Sequence, residues 1–102
     1  MNIGIDIVDC ERVSGLINKK IFNESELQYI AKKNNALPTV AGLYAAKEAY
    51  FKAKGTGIIK SQLTEVVVGH RVDGQPYYVN DEKASLSISH TSTTAVAVCI
   101  IF

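Results

Sequence analysis

The chain has 102 residues, 47% of them hydrophobic and 21% charged, with a formal net charge of +1. That suffices for one compact domain, residues 1–102, and leaves nothing to fill a second core; extra burial between subunits would help so small a fold. The balanced charge excludes a nucleic-acid protein driven by bulk positive charge. The two cysteines, Cys10 and Cys99, are too few and too far apart for a disulfide framework or a zinc site and read as small core residues.

No basic stretch leads into an apolar segment at the start, and no apolar run reaches about 18 residues, so the expectation is a soluble, cytoplasmic protein. Residues 2–8 alternate, with Ile3, Ile5 and Ile7 on one face and Gly4 and Asp6 on the other, which predicts a strand. Asp9 is placed to cap a first helix over 10–20. Asn23 followed by Glu26 makes a capping box, with Phe22 and Leu27 spaced as a hydrophobic staple, and predicts a helix over 24–33 that ends at Asn34-Asn35. Pro38 heads a third segment, and the alanine-rich run 39–54 closed by Gly55 predicts the most secure helix of the chain.

The remaining residues change character. Segments 63–70 and 75–79 flank Asp73-Gly74, a hairpin signal. Residues 85–90 alternate so that Leu86, Ile88 and His90 share a face, which points His90 inward, and 95–102 reads as a buried strand. A strand, three helices and then about four strands joined by short turns predict an α+β domain with a mainly antiparallel sheet.

Four features carry possible chemistry. Asp6 is either a surface residue of a half-exposed strand or, if buried, a carboxylate that must be paired, hydrogen-bonded or metal-bound. Glu48 and Lys52 stand one helical turn apart, a spacing that on most helices makes a solvated ion pair. Here Ala45, Ala49 and Ala53 make the surrounding surface small-sided and leave room for something to approach. Gly55-Thr56-Gly57 follows a helix and lacks P-loop spacing, so it is either a plain cap and turn or a set of backbone N–H groups open to an anion. His90 alone suits a satisfied interior histidine.

In this order along the chain, the features resemble the holo-acyl-carrier-protein synthase branch of the 4'-phosphopantetheinyl transferases. Three blocks carry the match: Gly4-Ile5-Asp6-Ile7-Val8-Asp9, the long run from Ala45-Ala46-Lys47-Glu48 through Lys52 to Gly55-Thr56-Gly57, and Ser87-Ile88-Ser89-His90. The resemblance implies a transferase-like fold and transfer of phosphopantetheine from coenzyme A to a serine of apo-acyl carrier protein, in support of fatty acid biosynthesis. It implies Mg²⁺ held by Asp6 and Glu48, a habit that suits the ion's preference for one or two carboxylates plus phosphate oxygens. Lys52 would supply positive charge or a proton to the departing adenosine 3',5'-bisphosphate, with Asp6, Glu48 and Lys52 as the catalytic set. Lys47, Gly55, Thr56, Gly57 and His90 would bind coenzyme A.

Arg12, with Lys19 and Lys20 beyond it, would meet the acidic helix of the carrier protein; for the two lysines, complementing a helix dipole is an equal alternative. Family members commonly form trimers with sites at subunit boundaries. Leu43 and Tyr44 depart from the family, which typically carries arginine and then phenylalanine there. Leu43 keeps open the alternative of a weakened module that binds coenzyme A or the carrier without turnover.

Overall fold

A computed structural model describes residues Met1–Phe102. The chain begins with β1 (Asn2–Asp9), continues through a short 3-10 turn (Cys10–Val13) to α1 (Glu24–Lys32) and α2 (Leu37–Lys54), and passes a second 3-10 segment (Lys60–Glu65) into β2 (Val68–His70), β3 (Pro76–Tyr78), β4 (Ala84–His90) and β5 (Thr94–Ile101). The main sheet has the order β1-β5-β4, antiparallel throughout, and β2-β3 form a separate hairpin. This is the expected α+β architecture.

Helix α2 is the centre of the molecule. Val40, Ala41, Leu43, Ala45, Ala46, Ala49, Phe51 and Ala53 are buried around its whole circumference. A helix apolar on every side must be enclosed. One side faces the inner sheet residues Val8, Ala95, Ala97 and Cys99, and the other is covered by α1, the second 3-10 segment and the hairpin. Gly55 ends the helix in the left-handed conformation, φ 76°, as the alanine-rich run closed by a glycine predicts.

The sheet meets α2 at very short range. A Cβ on Gly4 would run into the Ala49 carbonyl oxygen and lie 2.5 Å from the Ala53 amide nitrogen. What approaches the small-sided face of α2 is therefore strand β1 itself. This inverts the apparent polarity of the strand: Gly4, Asp6 and Val8 face inward, while Ile3, Ile5 and Ile7 are 68%, 58% and 64% exposed.

The capping box on α1 forms as expected, Asn23 accepting from the Glu26 amide and Glu26 from the Asn23 amide, both at 3.0 Å. Three expectations fail. The helix expected over 10–20 is only the turn Cys10–Val13, without a side-chain cap from Asp9. Ser14, Gly15 and Asn18 are weak helix formers, and Asn18 instead closes a local turn, its backbone carbonyl accepting from Ile21 and Phe22. The strand expected from Leu63 begins only at Val68, because Leu63 and Val66 give their carbonyls to a buried lysine described below. His90 points along the expected face but emerges exposed at the strand's end.

Gly4→Ala should destabilise the protein by at least about 3 kcal/mol in urea unfolding, because the added methyl meets rigid helix backbone and no side chain can yield. A loss under about 1 kcal/mol would mean that the strand and helix can separate at little cost.

Candidate active site

The close approach of β1 to α2 delivers Asp6 onto the helix face that carries Glu48 and Lys52. Asp6 is 7% exposed and Glu48 8%. Lys52 donates to Asp6 Oδ1 at 2.9 Å and to the Ile5 carbonyl at 3.0 Å. The lysine thus reaches across to the strand, and no ion pair forms along the helix between Glu48 and Lys52. Asp6 Oδ2 is buried with no hydrogen-bond partner. A buried carboxylate oxygen without a donor is costly unless something fills the gap.

Glu48 lies beside it in an unfavourable setting for a negative charge. Burial raises the Glu48 pKa first, and the neighbouring Asp6 carboxylate raises it further; the nearby Tyr44 hydroxyl and the charge of Arg12 pull the other way. Tyr44, one turn before Glu48, has its phenol pKa pushed up to about 12, mainly by burial and then by facing Glu48. Arg12, exposed on the turn after β1, thereby contributes positive charge to the edge of the same site. Two carboxylates held side by side, a lysine and an arginine are the makings of a site that gathers a cation and a phosphorylated ligand.

The donor set suits one class of metal. Two carboxylates supply hard oxygen ligands, and no group of three or more His, Cys, Asp and Glu side chains is positioned to enclose an ion. That fits a Mg²⁺-like cation that keeps water and takes further oxygens from a phosphate. It does not fit a structural zinc centre.

Other expected site residues lie elsewhere. Lys47 is fully buried, its ammonium donating to Glu26 Oε1, Leu63 O and Val66 O at 2.7, 2.8 and 2.7 Å. With all three protons used inside the core, it cannot contact coenzyme A at the surface, and that expectation is corrected. Gly55, Thr56 and Gly57 are exposed, with Gly57 at φ 71°. His90 sits at the other end of α2, at the lip of a hollow of about 170 Å³ beside Thr39, Gly42, Leu43 and His70. From Gly42 to Gly55 is about 20 Å of helix, so one chain does not bring His90 and the glycine loop together. Lys19 and Lys20 line a cleft of about 600 Å³ with Leu16, Ile21, Tyr44 and Lys60.

Sequence reasoning missed Tyr44 and Lys60. Tyr44 had a usable signal, since it stands four residues before Glu48, as Glu48 does before Lys52. Lys60 had none, because its place depends on the 3-10 segment that replaces a strand.

The family model of the 4'-phosphopantetheinyl transferase superfamily matches residues 2–100. The chain belongs to that superfamily. Within it, the chain is 36% identical to a holo-[acyl-carrier-protein] synthase of Fusobacterium nucleatum, across 99% of this chain and 98% of the relative. It is also 36% identical to the synthase of Treponema denticola, across 99% and 97%. The crystal structure of a holo-(acyl-carrier-protein) synthase from Bacillus anthracis, in complex with CoA (3',5'-ADP), superposes with a TM-score of 0.83 at 36% identity, covering 98% of this chain and 94% of that one. The Helicobacter pylori synthase in complex with coenzyme A gives 0.80 at 27% identity, covering 98% and 99%.

The buried carboxylate pair has a thermodynamic signature. A carboxyl whose folded pKa is raised binds more protons in the native than in the unfolded state, so stability falls as pH rises from the unfolded value through the folded one. Glu48→Gln removes this penalty. In metal-free buffer at pH 7 the variant should be more stable than the parent, with no gain near pH 4, as read by urea melts across that range. A variant less stable at pH 7 would show that Glu48 is well solvated or paired.

Proposed function

We propose that this protein is a holo-acyl-carrier-protein synthase, transferring 4'-phosphopantetheine from coenzyme A to a serine of apo-acyl carrier protein and releasing adenosine 3',5'-bisphosphate. The observation that carries the reading is the buried, unpartnered Asp6 Oδ2 beside Glu48, with Lys52 bridging strand and helix. The comparisons support the same activity through relatives matched over nearly their whole length.

In the reaction, the serine oxygen forms a bond to the β-phosphorus of coenzyme A as the bond from that phosphorus to the bridging oxygen breaks. Such transfers depend on positioning and charge neutralisation more than on covalent help. Asp6 and Glu48 would hold Mg²⁺, which when bound neutralises charge on the diphosphate oxygens. Two carboxylates alone would be a weak cage, and the coenzyme would supply further oxygens. Lys52, with its side chain 46% exposed, is anchored to β1 yet open to solvent, and brings positive charge to the departing bisphosphate. Gly55, Thr56 and Gly57, at the end of α2, offer backbone N–H groups towards phosphate.

The carrier protein docks on the cleft lined by Lys19, Lys20 and Lys60 over an apolar floor of Leu16, Ile21 and Tyr44. Arg12 adds positive charge near Glu48. Basic side chains around an apolar floor suit an acidic, amphipathic helix, with the charges setting encounter rate and orientation.

The working unit is a homotrimer. The outer face of the main sheet carries three cross-strand rows, Ile3–Ile100–Ser85, Ile5–Val98–Ser87 and Ile7–Val96–Ser89, and no helix covers it. An apolar face of that kind marks an association surface. Assembly would let His90 of one subunit serve the glycine loop of the next, which a single chain cannot do. No helix of the chain is long and apolar enough to cross a membrane.

Incubation with apo-acyl carrier protein, coenzyme A and Mg²⁺ should add one phosphopantetheine to the carrier, read by mass spectrometry. Asp6→Asn and Glu48→Gln should each slow transfer by at least about 100-fold. Carrier that stays apo with the parent protein would leave a binding module of the same fold, and near-normal rates in either variant would remove the carboxylates from the reaction. Ile5→Lys should give a folded monomer by light scattering, with transfer lost in parallel. A trimer that survives this change would place the interface on another face.

A further inference from the structure

We infer that Lys47 is a positioning residue for carrier recognition, its buried ammonium tying together from within the three walls of the lysine-ringed cleft. The inference rests on the reading of that cleft as the dock for the carrier, and goes beyond it by giving a role to a wholly buried side chain. One wall is the turn that carries Lys19, Lys20 and Ile21, another is the 3-10 segment with Lys60, and the third is α2 at Tyr44.

Each wall leads to the same ammonium. The first turn continues through Phe22, whose ring centroid lies 5.5 Å from Lys47 Nζ, into α1, where Glu26 Oε1 accepts from Nζ at 2.7 Å. The Leu63 carbonyl, inside the 3-10 segment, accepts at 2.8 Å, and the Val66 carbonyl just after it at 2.7 Å. Tyr44 stands three residues before Lys47 on α2, so the two are neighbours on the helix surface. All three protons of the ammonium thus hold one wall against another. The 3-10 segment depends most on this anchor. Its start has no side-chain cap, and 3-10 hydrogen bonds are poorer than those of an α-helix. Its path is therefore set by what holds its carbonyls, and a charge-assisted bond from a wholly buried donor is a strong constraint of that kind. Lys60 opens the segment, three residues before Leu63, and its charge is presented where that constraint puts it. Charge already ordered at an interface costs less to bind than charge that must be ordered on docking.

Lys47→Met keeps the apolar stem and removes the donors. In steady-state transfer assays it should raise the KM for the carrier by roughly fivefold or more, the cost of one displaced interface contact, and leave the KM for coenzyme A within about twofold. A lysine that only stabilised the core would lower the urea midpoint without that split. The penalty on the carrier should shrink when Lys60 is already alanine, because one change acts through the other. If Lys60→Ala and Lys19→Ala raise the carrier KM but Lys47→Met does not, or raises both KM values alike, the cleft reading stands and the positioning role is overturned. If Lys60→Ala and Lys19→Ala leave the carrier KM unchanged at low salt, the cleft is not the dock and this inference falls with it. Should Lys47→Met fail to fold, Lys47→Gln, which keeps two N–H donors on a shorter stem, carries the same comparison with a smaller shift in the same direction.

Discussion

Everything in this fold that bears on chemistry depends on how close strand β1 can lie to helix α2. Gly4 rests against the helix backbone at Ala49 and Ala53, a contact that no residue with a Cβ could make without displacing main chain. The approach is what brings the Asp6 carboxylate to Glu48 and lets Lys52 span the gap to both Asp6 and the Ile5 carbonyl. The small residues around it, Ala45 and Ala49 on the helix and Ala95 and Ala97 on β5, are fully buried. They set a short distance between helix and sheet where larger side chains would hold the layers apart. The result is a charged cluster at the boundary of a tight apolar core, with one carboxylate oxygen left for a ligand.

The second constraint comes from the residue next to Glu48. Adjacent helix positions point about 100° apart, so a chain that aims Glu48 at the strand aims Lys47 into the opposite core. There its ammonium meets Glu26 at 2.7 Å, both side chains wholly buried. Glu26 does two further things: it closes the capping box of α1 through Asn23 and receives the Val68 amide at the start of the hairpin, while Lys47 also donates to the carbonyls of Leu63 in the 3-10 segment and of Val66 just after it. Burial lowers the Lys47 pKa, and the Glu26 charge opposes it. A pair like this need not add net stability over apolar residues, but removing one partner strands the other. Its effect is to specify one arrangement of α1, α2 and the hairpin, which braces the back of the helix whose front carries the site.

Local signals carried much of the fold. The capping box at Asn23 and Glu26, the alanine-rich α2 with Gly55 beyond it, the hairpin around Asp73-Gly74 and the alternation of Leu86 and Ile88 with serines are each written within a few residues. What was illegible depended on contacts between distant segments. Residues 63–67 have strand composition, but Lys47 takes the Leu63 and Val66 carbonyls and draws this stretch out of a strand path. Lys47 itself looked like a surface cation because nothing in its neighbourhood announces Glu26, 21 positions away. The turn at Ser14 and Gly15 reflects weak helix propensity without packing to rescue it. Asp6 and Glu48 were recognisable as candidates through the resemblance, but their meeting could not be read from spacing, because it is made by Gly4.

The alternation in β1 carries a further consequence. A strand with three isoleucines on one face would ordinarily turn that face to the core, yet here the face that holds Gly4 and Asp6 must go inward for the carboxylates to meet. The isoleucines are thereby driven outward, in register with Val96, Val98 and Ile100. So the same pleat that builds the site also builds an apolar outer wall. A fold of this size gains most from burying such a wall against copies of itself. The carboxylate site and the apolar wall are two faces of one strand, and a change that shifts the pleat alters both.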